Sequence, residues 1–146
     1  RRRHTRYPLV TGVQTCALPI CGSCTRCIDL CPTNAILPDK TIDSNKCISY
    51  YTIEWKHELI PHEFKDKFDD WFFGCDTCQD VCPWNRFKSP TNETSFTPIR
   101  EIMDLSFSDW EMMTEESFKK LTNESPLGRP GFKGIQRNLK FLKNSE

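Results

Sequence analysis

Apolar positions come in clumps along this chain, separated by polar, turn-rich stretches. Leu37–Lys46 (LPDKTIDSNK) is polar and reads as a loop. The ISYYTIEW run within Cys47–Trp55 is β-branched and aromatic, which predicts a short strand or an extended pass. In PHEFKDKFDDWF (residues 61–72), Phe64, Phe68, Trp71 and Phe72 recur at helical spacing behind Pro61. That pattern predicts an amphipathic helix with Pro61 at its first position and the aromatics in a core. Residues 87–98 (FKSPTNETSFTP) read as a linker. Two or three helices are expected beyond it. One runs near Ser108–Met113 with Ser108 as its cap, and one over Thr114–Leu121 with Thr114 capping and acids in the first turn. The last covers Gly131–Lys143, with Ile135, Leu139 and Leu142 on one face and Lys133, Arg137, Lys140 and Lys143 opposite.

Charge sharpens this division. The whole chain is formally neutral, but residues 1–20 carry four arginines and no acid, so the rest is slightly acidic. An acidic body speaks against indiscriminate nucleic-acid binding. Residues 126–146 reverse the sign locally, with five basic residues and one acid, a face that is either solvated or in contact with phosphates. No apolar run approaches the roughly 20 residues that cross a bilayer, so no membrane is expected. Val10–Ile20 (VTGVQTCALPI) resembles translated sequencing-adapter read-through, and residues 1–20 are expected to be a non-native leader in which Cys16 has no role. The alternative is an arginine-rich transit peptide.

The cysteines carry the chemistry. Nine occur in 146 residues, four of them between Cys21 and Cys31. Such crowding, an odd count and no visible secretory signal oppose a disulfide framework and point to metal ligands in a reducing cytoplasm. CGSCTRCIDLCP matches the C-x2-C-x2-C-x3-C-P run of two-cluster ferredoxins, whose fourth cysteine ligates the other cluster. GCDTCQDVCPW supplies the last three members of a second run, Cys75, Cys78 and Cys82, followed by Pro83. Its first member is Cys47, displaced upstream by an insertion. The expected sets for two [4Fe–4S] clusters are therefore Cys21, Cys24, Cys27 with Cys82, and Cys47, Cys75, Cys78 with Cys31. Zinc sites of four cysteines come instead as two C-x2-C pairs. His57 and His62 are read as surface residues, and no arrangement for hydrolysis is discernible. The fold class expected is α+β: a two-[4Fe–4S] ferredoxin-like domain with an insertion (residues 21–86), then the linker, then an α-helical segment (residues 99–146).

CGSCTRCIDLCPTNAI, KCISYYTIEWK and FFGCDTCQDVCPWN resemble the iron–sulfur region of the epoxyqueuosine reductase family, from Cys21 to about residue 143. SPLGRPGFKGIQRNLKFLKN resembles the start of that family's HEAT-like helical repeats, which help hold tRNA. The resemblance implies an oxidoreductase that reduces epoxyqueuosine in tRNA to queuosine, with electrons passing through both clusters to a cobalamin beside the cluster of Cys21, Cys24, Cys27 and Cys82. It also implies that Ser49 and the Cys75–Asp76 turn lie against the cobalamin and that Lys56 faces the tRNA. From the residues alone, turn hydrogen bonding is the better account of Ser49 and Asp76, and the resemblance reverses that preference. Asn34 stands where the family often has Gly, and Tyr51 where it often has Leu.

The family's cobalamin domain and catalytic acid have no counterpart here. The chain is expected to be an interior piece, inactive by itself, with no catalytic residue of its own. Its expected partners are tRNA carrying epoxyqueuosine and an unidentified electron donor, and its expected state is a cytoplasmic monomer. Two other readings fit the cysteines: a stand-alone two-cluster carrier, and the cluster module of another corrinoid-dependent reductase such as a dehalogenase.

Overall fold

A computed structural model describes residues 22–143, so Cys16 and Cys21 lie outside the described residues. Short helices and tight turns dominate. The regular elements are α1 (Arg26–Asp29), α2 (Thr77–Asp80), α3 (Arg100–Met103), α4 (Phe107–Met112), α5 (Glu115–Thr122) and α6 (Gly131–Lys143), joined by 3-10 turns. Among the described residues the only β pairing is an isolated antiparallel bridge between Ile36 and Ile42. The β half of the expected α+β class is thus not seen there. No helix among them is long and apolar enough to cross a membrane.

The stretch after Cys47 is not a strand. Residues 48–54 are helical, and Tyr50–Glu54 is a π-helix closed by Trp55 N–H donating to Tyr50 O at 2.9 Å. Burial explains why local preference loses. Ile48, Tyr51 and Thr52 are all buried, and their i, i+3, i+4 spacing puts them on one helical face. The Thr52 hydroxyl, which has no apolar partner to seek, donates back to Ile48 O at 2.9 Å.

Residues 61–72 also depart from expectation. Only His62–Phe64 is helical, as a 3-10 turn for which Pro61 is the cap. Asp66 and Asp69 then take left-handed backbone angles (φ 65° and 49°), which no helix continues through and which Asp tolerates better than most residues. The aromatics still reach the interior. Phe64 and Phe68 join Ile48, Tyr51 and Ile60 in a core against which Trp55, Trp71, Cys75, Phe141 and Leu142 pack.

A second core holds Trp110, Phe118, Ile135 and Leu139, with Phe72 and Phe73 of the insertion packed against it. Helix α6 therefore contributes to both cores and fastens the C-terminal helices to the insertion. The caps follow simple chemistry. Ser106, rather than Ser108, opens α4 in a capping box: its Oγ accepts from Asp109 N–H at 3.2 Å, and Asp109 accepts from Ser106 N–H at 2.8 Å. Thr114 caps α5 by accepting from Ser117 N–H at 3.2 Å. Ile135 and Leu139 are buried on α6 as its periodicity requires, but Arg137 is half-buried rather than part of a solvated basic face.

Leu139 is fully buried (0 % exposed) at the shared helix, whereas Met112 is 76 % exposed. Leu139→Ala is expected to cost about 2–5 kcal/mol of stability, and Met112→Ala less than about 0.5 kcal/mol, both measured by urea denaturation.

Candidate iron–sulfur centre

The two cysteine runs fold into the same local shape. In the first, Thr25 precedes α1 with φ −119° and ψ 4°; in the second, Asp76 precedes α2 with φ −105° and ψ 7°. Their backbone hydrogen bonds match in order. Ile28 N–H donates to Thr25 O as Gln79 N–H does to Asp76 O, both at 2.8 Å. Asp29 and Asp80 donate to the same carbonyls at 2.9 Å, and Leu30 and Val81 follow at 3.1 and 3.2 Å. Cys31 and Cys82 close each turn, and a proline follows each. Helices α1 and α2 pack on one another, which sets the two turns side by side. This is the arrangement that interleaved ligand exchange requires.

All seven described cysteines are free thiols and partly buried. Burial pushes the Cys78 thiol up, and the neighbouring charges of Cys75, Cys47 and Cys27 push it further. Cys75 packs against the core that holds Ile48, the neighbour of Cys47, and Gly74 N–H donates to Thr52 Oγ1 at 3.0 Å, so the insertion returns the chain to the second run. Cys31 is the opposite case to Cys78. Burial pushes it up, but N–H groups of Ala35, Thr33 and Ile36 and the Thr33 hydroxyl outweigh burial and hold it below the ordinary thiol value. Ala35 N–H donates to its sulfur at 3.2 Å. The Cys75 thiol donates to Thr77 Oγ1 at 3.4 Å; as a thiolate, the sulfur would accept from that hydroxyl instead.

The donor set fits a cubane cluster. It consists of soft sulfur, partly shielded from water, with backbone N–H groups aimed at a sulfur that must be deprotonated to bind metal. Among the described residues no three His, Cys, Asp or Glu side chains converge closely enough to share one ion. A cubane asks for something different, one cysteine for each iron corner, with the sulfurs placed around a cube rather than a point.

The insertion gives the second set its rigidity. Gly74, next to Cys75, has a left-handed backbone (φ 71°) and donates its N–H to Thr52 Oγ1 at 3.0 Å. Asn138 on α6, 1 % exposed, donates from Nδ2 to Thr52 O and to Phe72 O, both at 2.8 Å. It thereby ties the strand of chain leaving Cys47 to the one approaching Cys75. Arg137 reinforces the same joint, donating to Tyr51 O at 2.7 Å, Trp55 O at 2.6 Å and His57 O at 3.0 Å. Sequence reasoning missed both residues, since nothing local marks an Asn or Arg in an amphipathic helix as a bridge. It also missed the meaning of Asn34, whose φ of 52° shows why glycine is an acceptable alternative there.

Ser49 is partly buried at the start of the π-helix and Asp76 is exposed at the start of α2, and neither side chain caps its helix. Turn capping therefore does not explain them. Ser49 stands two residues after Cys47, and Asp76 directly follows Cys75. Lys56 is exposed at a cleft of about 970 Å³ between residues 55–60 and α6, where its Nζ donates to Arg129 O at 3.3 Å. His57 and His62 are exposed.

Residues 20–85 match the model of the 4Fe-4S double cluster binding domain family. An epoxyqueuosine reductase from Cellulophaga algicola is 54 % identical over 123 residues, which is 84 % of this chain and 40 % of the relative. One from Cyclobacterium marinum is 56 % identical over 124 residues, 85 % of this chain and 39 % of the relative. Among solved structures, a crystal structure of epoxyqueuosine reductase with an epoxyqueuosine-modified tRNA-Tyr stem loop superposes with a TM-score of 0.75. It is 34 % identical, covering 84 % of this chain and 32 % of that one. The chain thus spans about 40 % of the length of the curated relatives it matches.

Removing the bridging amide leaves two buried carbonyls without a donor. Asn138→Ala is expected to lower unfolding stability by about 1–3 kcal/mol in urea denaturation. Alkylation of Cys47 and Cys75 should accelerate relative to Cys24 in the metal-free protein. Equal acceleration at all three sites would show that the bridge does not act on the second set.

Proposed function

We propose that the chain belongs to the epoxyqueuosine reductase family and forms the electron-relay portion of an enzyme reducing epoxyqueuosine to queuosine in tRNA. The observation that carries this reading is the pair of matching turns, Cys24–Pro32 and Cys75–Pro83, packed against each other, with the segment after Cys47 bonded to Gly74 beside the second. Cys21, Cys24, Cys27 and Cys82 would hold one [4Fe–4S] cluster, and Cys47, Cys75, Cys78 and Cys31 the other. When bound, the clusters supply single-electron relay and the cobalamin a strongly reducing metal centre.

What the chain's own residues do follows from their placement. The Ala35 N–H and the Thr33 and Thr77 hydroxyls sit against ligand sulfurs, where they favour the thiolate and adjust the potential. The aromatic core behind Cys75 keeps water from that side of the second set. Ser49, Cys75 and Asp76 contact the cobalamin. These three flank the second set, which supports a cobalamin within reach of that set's side. Lys56, with Lys133 and Lys140 across the same cleft, meets the tRNA backbone as point charges. Residues 21–86 act as the cluster domain and residues 87–98 as the linker. Residues 99–146 begin a HEAT-like helical portion. The protein works in the cytoplasm as a monomer.

Anaerobic reconstitution is expected to give about eight irons per chain. Cys82→Ala and Cys78→Ala should each remove about half of the iron, and Cys16→Ala none. Iron analysis with electron paramagnetic resonance of each variant checks this. Loss of iron from Cys16→Ala matching that from Cys82→Ala would sink the ligand assignment.

A further inference from the structure

One surface remains unexplained. Beside the first set lies an open cleft of about 600 Å³ between α1 and residues 80–88, and Cys82 forms part of its wall. Arg26, Arg86 and Lys88 line it against one carboxylate, Asp80. None of the three cations makes an ion pair among the described residues. Residues 21–146 are acidic on balance, so this cluster of uncompensated positive charge is a local exception.

Of the apolar residues around it, Leu30 lines the cleft, and Trp84 and Phe87 flank its lining residues in the sequence. Leu30 is 55 % exposed, Trp84 47 % and Phe87 61 %. The Trp84 and Phe87 rings meet at 5.6 Å between centroids, and the Arg86 guanidinium lies over the Phe87 ring at 4.6 Å. Exposed aromatics with a stacked arginine are the composition of protein–protein contact centres, and contiguous exposed apolar surface marks such sites.

We propose that this cleft is the docking surface for the electron donor, and that the donor is a small acidic one-electron carrier protein. The inference rests on the reading that Cys82 helps hold the first cluster. Three observations select the partner. The wall contains a ligand cysteine, so a protein seated there reaches the relay directly. The charge is positive, which steers an acidic partner and fixes its orientation. The patch is small, and redox encounters use small, short-lived interfaces. The second set is unsuited to this role because the aromatic core packs against one side of Cys75, and its open side, with Ser49 and Asp76, is assigned to the cobalamin. Electrons thus enter beside Cys82 and leave beside Cys75. In each encounter the carrier loses one electron and the first cluster gains it; no bond forms or breaks.

The test mixes the reconstituted chain with an acidic flavodoxin in its hydroquinone form and follows cluster bleaching by stopped flow. The unaltered chain should react more slowly as ionic strength rises from about 20 to about 500 mM. Arg86→Glu with Lys88→Glu should lower the low-salt rate constant by about tenfold or more while leaving reduction by dithionite within about twofold. Lys133→Glu with Lys140→Glu, on the other cleft, should leave the flavodoxin rate unchanged. Carbodiimide coupling should join Lys88 to a flavodoxin carboxylate. Phe87→Ala, which keeps the charges, should slow the reaction several-fold and serves if the double variant fails to take up iron. A salt-independent rate, an equal loss in the Lys133 and Lys140 variant, or coupling confined to other lysines would overturn the docking proposal alone. The last two outcomes would leave the cleft to a segment of the protein's own family architecture or to no partner. An unaltered chain that takes up no iron would instead overturn the cluster assignment, and docking with it.

Discussion

The side-chain amide of Asn138 is the contact on which the second ligand set depends. Cys47 and Cys75 have 27 residues between them, so no local turn fixes their separation. A single buried Nδ2 donating to Thr52 O and Phe72 O does so, and the Thr52 hydroxyl repeats the bond toward Gly74 N–H. Backbone carbonyls in such a place must be paired, because burial without a donor costs more than the bond returns. The insertion and α6 are therefore one unit in energetic terms, although they are far apart in sequence.

The two halves of the centre solve the same problem by different means. In the first run, four closely spaced cysteines need little beyond a one-turn helix and a proline. In the second, the missing closeness is replaced by tertiary structure: the aromatic core around Tyr51, Phe64 and Phe68, the left-handed aspartates that let the chain double back, and the Arg137 fan of hydrogen bonds to three carbonyls. Burial of the Arg137 guanidinium lowers its proton affinity from the ordinary arginine value, and the three acceptors offset that loss of water.

Much of the centre was legible in the sequence because its signal is local. Cysteine spacing, the prolines at 32 and 83 and the duplicated turn can be read within about ten residues, and α6 was readable from its apolar period. The strand expected after Cys47 and the helix expected over residues 61–72 failed for a common reason. Both were read from local preference, whereas burial of Ile48, Tyr51 and Thr52 and the turns at Asp66 and Asp69 were decided by the cores they complete. Asn138 and Arg137 were invisible because their partners lie in other segments. The cap expected at Ser108 is Ser106, two positions earlier, a displacement within the ordinary uncertainty of a helix start.

The reach of Asn138 also has a consequence in time. Its bonded partner Thr52 is 86 residues away along the chain. Contacts of such separation form late, since a long loop must close before they repay its entropy. During synthesis the first run emerges with its short-range turn already able to form, while Cys47 and Cys75 stay unjoined until α6 leaves the ribosome. The newborn protein thus passes through an interval in which the segments carrying Cys47 and Cys75 are both made but not yet held together.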